Sequence, residues 1–247
     1  RKWVAETISA DKKKAVPVLS FPAIQPMGIT VAELIGSSEK QAEAMRLVAE
    51  RCDTGAAVSF MDLSVEAEAF GSQIVVSDDE VPTVVGAIVD EDSDPDDLDV
   101  PEVGAGRTGL YLEAIGKASQ QITDRPVLAG CIGPFSLAGR LMDVSEIMIL
   151  CYEEPELVHA VLAKATEFIT GYAQAFKDRG ADGVVMAEPL AGLLSPDLAK
   201  EFSATYVKQI VDAVQDDEFG VFYHNCGNAA ARMVPQLLEI GASGYHF

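Results

Sequence analysis

Short runs of apolar residues alternate along the chain with longer segments in which apolar positions recur every three or four residues. The first pattern is typical of buried strands and the second of amphipathic helices, so their alternation predicts βα units around a parallel sheet. Six segments are predicted as strands: 15–21, 56–63, 126–131, 183–187, 220–224 and 244–247. The predicted helices cover residues 30–52, 108–122, 144–152, 155–177, 196–214 and 229–240.

The clearest helix begins at Pro155, whose ring suits a first helical turn, and it should end before Gly180. Ser195 is the predicted N-cap of the helix that follows it. The tetrapeptides GADG (180–183) and GASG (241–244) each precede a predicted strand and indicate one type of helix-to-strand turn, used twice. A doubly wound sheet and a (β/α)8 barrel both agree with this pattern.

Composition narrows the classes of function. The chain has 247 residues, of which 49% are apolar and 23% charged, so it can bury a full core and is not a disordered or coiled-coil protein. The balance of 18 basic and 39 acidic residues gives a net charge of −21, which disfavours nucleic acid and anionic membranes as partners. Four cysteines without a CxxC motif favour a reducing compartment, so we expect a cytoplasmic protein.

Two motifs resemble ligand sites, and we interpret them otherwise. Residues 104–109 have GxGxxG spacing, but an acidic stretch precedes them where a nucleotide site needs a buried strand, which favours a flexible entry to a helix. That stretch, 90–102, carries Pro95 and Pro101 where a calcium loop requires Gly and Glu. We therefore expect it to be exposed, mobile and free of metal. His159 has no second ligand at helical spacing, and we expect it to be structural.

A stronger signal is the pair His224 and Cys226 at the end of a predicted strand. Residues two apart on an extended backbone point to the same side, so imidazole and thiolate can be presented together. Both are good zinc ligands, and Gly227 ends the strand at the edge where barrel sites lie. Two ligands do not complete a zinc site, so at least one more must come from elsewhere. The alternative is an idle histidine beside a buried cysteine.

Carboxylates follow two other predicted strands. Glu188 comes directly after one of them and lies at the same edge as His224 if the strands run parallel. It could coordinate a metal, hold a substrate or cap the following loop. Asp62 belongs to the acidic cluster 61–68, in which N-capping of a helix by Asp62 or Ser64 is the alternative to a chemical role.

These motifs together resemble a known family. The segments MDLSVEAEAFG (61–71), RPVLAGCIGPFSLAGRLM (125–142), GADGVVMAEPLAGLLSP (180–196) and YHNCGN (223–228) carry the resemblance. The sequence is similar to the uroporphyrinogen decarboxylase superfamily, and within it to the cobalamin-dependent methyltransferases such as methylcobalamin:coenzyme M methyltransferases. YHNCGN is the most specific segment, because it looks like their zinc-binding H-x-C element. True decarboxylases carry an arginine-rich segment for the substrate's propionates, whereas residues 17–28, PVLSFPAIQPMG, contain no arginine.

The resemblance implies a (β/α)8 TIM barrel in which residues 1–247 form a single barrel domain. Methyltransferases of the family supply a further zinc-ligand cysteine late in the chain, and no cysteine follows Cys226 here. We therefore expect the barrel to be truncated after the sixth strand, with the seventh and eighth strands and that third zinc ligand missing.

The resemblance also implies a reaction. Zinc held by His224 and Cys226 would bind a small thiol such as coenzyme M, which takes a methyl group from methylcobalamin on a separate corrinoid protein. Glu188 would be the catalytic carboxylate near the metal, and His246, Asp62 and Asn225 would contact the substrate. Two alternatives remain open, namely a metal-free decarboxylase and a degenerate barrel that binds a corrinoid or another partner.

Overall fold

The computed structural model describes residues 2–18, 21–227 and 230–247. Within these ranges the strands are β1 (Ala57–Val58), β2 (Gln73–Val75), β3 (Thr83–Val85), β4 (Val127–Ile132), β5 (Gly183–Ala187), β6 (Gly220–His224) and β7 (Gly244–His246). Five of them form one parallel sheet in the order β1-β4-β5-β6-β7, and β2 pairs antiparallel with β3. The fold is therefore α/β, as expected.

Helices precede, connect and cover the strands. They are α1 (Lys2–Ser9), α2 (Ile24–Met27), α3 (Val31–Ile35), α4 (Ser38–Arg51), α5 (Val65–Ala69), α6 (Thr108–Gln121), α7 (Pro134–Met142), α8 (Val144–Glu153), α9 (Pro155–Asp178), α10 (Pro196–Ala199), α11 (Thr205–Val214) and α12 (Val234–Leu238). Single 3-10 turns occur at Pro95–Asp97, Leu190–Leu193 and Ala230–Arg232, and the π-helical turn Lys200–Ala204 joins α10 to α11. Among the helices so described, none has the length and apolarity needed to cross a membrane.

The central strands are buried on both faces, as their continuous apolar runs require. Val184 and Met186 of β5 face the helical layer, where they join the main core. Val185, which points the other way, packs with Leu128 in a smaller cluster on the concave side. Helix α1 covers that side, and its Trp3 ring lies 5.4 Å from the ring of Phe222 on β6.

Four predicted strands are confirmed nearly to the residue, namely 126–131, 183–187, 220–224 and 244–247. The prediction for 56–63 is too long, because the chain turns away after Val58 toward Asp62, whose carboxylate accepts the backbone N–H of Ser64. The prediction for 15–21 is wrong over residues 15–18 and 21, and residues 19 and 20 lie outside the described ranges. Pro17 lacks the N–H that a strand ladder needs at that point.

The predicted helix 30–52 is two helices, because Gly36 ends the first and the Ser37 hydroxyl accepts the N–H of Lys40 at the start of the second. Ser195 caps α10 as predicted, through a bond from the N–H of Leu198. Helix α7 and the β2–β3 hairpin were not predicted. Helix α12 is much shorter than 229–240, of which residue 229 lies outside the described ranges.

Parallel pairing brings the carboxyl ends of four strands to one edge. Ile132 pairs with Ala187, Ala187 with His224, and His224 with His246. Glu188 follows Ala187 directly, so the prediction that it lies at the same edge as His224 is confirmed, and the ends of β4 and β7 lie at that edge as well. The repeated turn is confirmed as well, since Gly180 and Gly241 have φ values of +89° and +76°.

Candidate metal and substrate site

Two histidines meet at the carboxyl edge of the sheet. The Nδ1 atoms of His224 on β6 and His246 on β7 lie 2.8 Å apart, and the ring centroids are 4.8 Å apart. One Nδ1 donates and the other accepts, which leaves both Nε2 atoms outside this bond. Burial, and then the neighbouring His246, lower the pKa of His224, so its ring is neutral near pH 7. Neutral imidazole is the form that binds metals.

Cys226 follows in the loop after β6 and is exposed. Between the two candidate ligands, Asn225 is fully buried. Its Oδ1 accepts the N–H of Gly227 at 2.8 Å, its Nδ2 donates to the hydroxyl of Tyr223 at 3.1 Å, and its backbone N–H donates to the carbonyl of His246 at 3.0 Å. These contacts make Asn225 the residue that shapes the loop, and its predicted contact with substrate stays a prediction.

Two glycines allow the loop after β6 to rest directly on the 3-10 turn after β5. A Cβ added to Gly192 would lie 2.5 Å from the Cα of Gly227, and one added to Gly227 would lie 2.4 Å from the Cα of Gly192. Real side chains do not tolerate such distances, so only glycine permits this backbone contact. The Gly192–Gly227 contact therefore sets the height of the loop that carries Cys226.

The donors present match zinc in chemistry, since imidazole and thiolate are its usual ligands. A full set of ligands is not assembled: within residues 2–18, 21–227 and 230–247, no group of three or more His, Cys, Asp or Glu side chains could hold a metal ion. The structure brings His224 and His246 together, and it leaves Cys226 apart from them. A shared metal between His224 and Cys226 stays a prediction.

Glu188 lies at the same edge, where its backbone N–H donates to the carbonyl of His224 at 2.8 Å. Its side chain is fully buried against the first turn of α7. Oε1 accepts the N–H of Phe135 at 2.9 Å, and Oε2 accepts the N–H and hydroxyl of Ser136 at 3.0 and 2.8 Å. Burial raises the pKa of Glu188 to about 7. These contacts match the capping role, and the catalytic role stays a prediction.

Asp62 is buried in a network of its own. Its carboxylate accepts the hydroxyl of Tyr111 at 2.9 Å, the N–H and hydroxyl of Ser64 at 3.1 and 2.6 Å, and the guanidinium of Arg107. Arg107 also donates to Glu68 at 2.6 Å. With its oxygens so occupied, Asp62 positions Arg107, and the substrate contact predicted for it stays a prediction.

Arg107 belongs to the glycine-rich segment 104–109. Gly104 and Gly106 have φ values of +107° and +55°, and the turn they make leads into α6 at Thr108. This geometry agrees with the helix-entry interpretation. The preceding acidic stretch is mostly exposed, as expected, but Lys164 of α9 anchors it through bonds of 2.6 Å to the carbonyls of Pro95 and Leu98. Its mobility and freedom from metal stay predictions.

Sequence reasoning missed Glu66, which is buried behind the same edge. Its Oε1 accepts the N–H of Ile132 at 3.0 Å, while its Oε2 has no hydrogen-bond partner among the described residues. Burial raises the pKa of Glu66 to about 7. Burial also raises the pKa of Cys131, with Glu66 and Glu188 as further causes. Glu66 was inside a quoted motif, but that motif contains several acids and nothing in it singled one out.

His159, expected to be structural, lies on α9 and packs against the π-helical turn Lys200–Ala204 and α11. Its ring stacks on Phe202 with centroids 4.6 Å apart, and its Nδ1 lies 2.8 Å from the hydroxyl of Tyr206. These contacts agree with a structural role.

Comparisons with known proteins identify a family and agree with the fold. Residues 15–247 match the family described as Uroporphyrinogen decarboxylase (URO-D). The chain is 33% identical over 171 residues to the methylcobamide:CoM methyltransferase MtbA of Methanosarcina acetivorans, an alignment that covers 68% of this chain and 50% of that protein. It is 30% identical over 178 residues to the uroporphyrinogen decarboxylase of Alcanivorax borkumensis, covering 69% and 50%.

Among solved structures, a methyltransferase from Methanosarcina mazei superimposes with a TM-score of 0.87 at 25% sequence identity. The superposition covers 96% of this chain and 71% of that one. The parallel sheet is thus a curled half-barrel, consistent with part of a TIM barrel of this family. The chain spans about half the length of the curated relatives it matches.

Proposed function

Because the chain belongs to the uroporphyrinogen decarboxylase family, we propose that it is a zinc-dependent methyltransferase that moves a methyl group from a methylated corrinoid to a small thiol such as coenzyme M. The observation that carries the proposal is the position of His224 at the carboxyl end of β6, followed two residues later by the exposed Cys226. Its methyltransferase relatives, one of them named a methylcobamide:CoM methyltransferase, support it.

Methyl transfer to a thiol requires residues that can hold a metal beside that thiol. A free thiol is mostly protonated at neutral pH and is then a weak nucleophile. Bound zinc lowers the pKa of a thiol that reaches it. His224 and Cys226 would hold the zinc, and Asn225 fixes the loop between them. A thiol bound there would lose its proton to solvent and take the methyl group as a thiolate, and the electron pair of the carbon–cobalt bond would stay on the corrinoid.

The corrinoid arrives on a separate protein that docks over the carboxyl edge. Glu188 and Asp62 stabilise the residues around this edge. Glu188 accepts hydrogen bonds from the N-terminal turn of α7, and Asp62 accepts one from Arg107. In this proposal they are positioning residues, and neither needs to touch the thiol.

A decarboxylase is the second candidate, because relatives with that name match at about the same identity. Residues 17–28 contain no arginine that could hold a substrate's propionates, which favours the methyltransferase. If the protein decarboxylates a porphyrinogen and transfers no methyl group, the decarboxylase is the correct function. A protein that binds a corrinoid and catalyses neither reaction would be a binding module.

The test is methyl transfer from methylcobalamin to a panel of thiols, followed by the appearance of cobalt(I) absorbance and of the S-methyl product. We expect about one zinc per chain and loss of both zinc and activity in Cys226→Ser. Cys52→Ser is the matched control, because Cys52 is also exposed but follows α4, away from the site. Unchanged zinc content with a lowered melting temperature in Cys226→Ser would show that Cys226 is only a structural residue.

A further inference from the structure

The donors that the fold brings together are not the two that the H-x-C spacing selects. His224 and His246 come from adjacent strands, are direct partners in the β6–β7 register, and present their Nδ1 atoms to each other at 2.8 Å. The sheet itself fixes this placement, since the backbone N–H of Asn225 donates to the carbonyl of His246 at 3.0 Å. Cys226 lies on a loop beyond the end of the strand.

The separation of the two nitrogens is close to that of two ligands on one metal. Zinc–nitrogen bonds of about 2.0–2.1 Å in a tetrahedral site place two ligand atoms roughly 3.3 Å apart. An opening of about 0.5 Å between the rings would therefore admit one ion in place of the shared proton. His246 is exposed and His224 half-buried, so an ion can reach them from solvent.

The surroundings of the pair favour a metal that prefers nitrogen and sulfur. Below His246, on the concave side of the sheet, a cavity of about 320 Å³ is lined largely by apolar side chains such as Leu128, Val185 and Phe222. None of the described residues that line it is acidic. Calcium and magnesium need oxygen ligands, whereas imidazole suits zinc.

We propose that His246 is a metal ligand together with His224, so that a two-histidine pair from adjacent strands forms the fixed part of the metal site. This inference rests on the proposed zinc site, and it replaces the substrate contact predicted for His246. In this arrangement the two histidine ligands come from two adjacent strands, whereas the H-x-C spacing takes its two ligands from one strand and the loop after it.

The chain contains three histidines, which allows a direct test. The protein labelled with 15N-histidine is titrated with zinc alone, and the imidazole nitrogens are followed by NMR. His246→Gln and His159→Gln assign two of the three rings. His159 serves as the internal control because it lies on α9, where its Nδ1 faces the hydroxyl of Tyr206 and its Nε2 lies 3.4 Å from the carboxylate of Glu201. We expect the Nδ1 signals of His224 and His246 to shift with saturation at one equivalent, and those of His159 to stay unchanged.

Zinc affinity, measured by competition with a chelating dye, gives a second readout that does not depend on activity. We expect His246→Gln to weaken zinc at least tenfold, which is the least that loss of a ligand should do, and His159→Gln to have no effect. Substitution of the zinc by cobalt(II) should give a spectrum that changes in His246→Gln and keeps its thiolate charge-transfer band.

The outcomes separate this inference from the function on which it rests. If zinc binds at one per chain, only His224 shifts, and His246→Gln binds as tightly as the parent protein, then His246 is not a ligand and the proposed function stands. If no zinc binds to the parent protein at all, the proposed function fails and this inference fails with it. A melting temperature for each variant excludes unfolding as the cause of a loss.

Discussion

At the scale of single residues, the two buried glutamates behind the carboxyl edge govern how the fold responds to pH. Glu66 and Glu188 both have their pKa raised to about 7 by burial, and both accept N–H groups from the segment 132–136 that joins β4 to α7. A carboxyl group with a raised pKa stabilises the fold while it is protonated. That contribution is complete below the unfolded-state value of 4.5 and is lost as the pH rises through 7.

We therefore predict that the free energy of unfolding falls between pH 5 and pH 8, and that Glu66→Gln removes part of this fall. Raising the pKa of one carboxyl group from 4.5 to about 7 corresponds to roughly 3 kcal/mol. Urea unfolding of both proteins at several pH values measures the difference. Glu167→Gln, at an exposed position of α9, is the control and should leave the slope unchanged. Equal slopes for the parent protein and Glu66→Gln would contradict the prediction.

A second prediction at this scale concerns Glu188. Glu188→Ala removes the acceptor of three hydrogen bonds and leaves a cavity, so we expect a loss of about 3 kcal/mol in the free energy of unfolding. Ser136→Ala removes one of those bonds and should cost about 1 kcal/mol. If Glu188→Ala instead keeps its stability and loses only methyl transfer, the catalytic role predicted from the sequence is correct.

At the scale of elements, the Gly192–Gly227 contact couples the two loops that follow β5 and β6. Gly192→Ala must push these backbones apart, and we expect a loss of roughly 1–3 kcal/mol in stability together with weaker zinc binding. Gly116→Ala is the matched control: it lies in α6, a new Cβ there meets no atom closer than 3.8 Å, and alanine favours helix. Melting temperature and zinc affinity of both variants decide the matter, and unchanged values in Gly192→Ala would refute the coupling.

The sequence predicts best those elements whose limits are set by their own residues and not by contacts with distant parts of the chain. Strands β5 and β6 are apolar runs that begin at a glycine, and their limits follow from the residues alone. Helix α7 was missed because its start depends on Glu188, which lies about fifty residues later in the chain and fills the space beside Gly133. For the same reason the sequence could place Glu188 at the right edge but could not say which way its carboxylate points.

The site shows the same limit. The spacing of His224 and Cys226 indicates a candidate metal site at the correct strand end, because the rule that residues two apart on a strand point to the same side needs only the local sequence. The pairing of His224 with His246 depends on the β6–β7 register, which sequence distance alone does not give.

At the scale of the whole molecule, the candidate metal site lies at the margin of a core that is already complete without it. The main core packs the sheet against the helical layer, and neither His224 nor Cys226 belongs to it. We predict that chelation of zinc abolishes methyl transfer and leaves the far-UV circular dichroism unchanged, with a fall of only a few degrees in melting temperature. Unfolding on chelation would mean that the metal organises the fold itself.

Helix α1 places the chain's single tryptophan where light can report on this chemistry. The Trp3 ring lies 5.4 Å from Phe222, which precedes His224 by two residues and therefore faces the same side of β6, about 7 Å below it. A coloured, paramagnetic ion such as cobalt(II) bound at the histidines should quench the emission of Trp3, whereas zinc, which is colourless and diamagnetic, should not. The indole is thus a built-in optical probe, and Phe222→Leu tests whether its signal depends on the neighbouring phenyl ring.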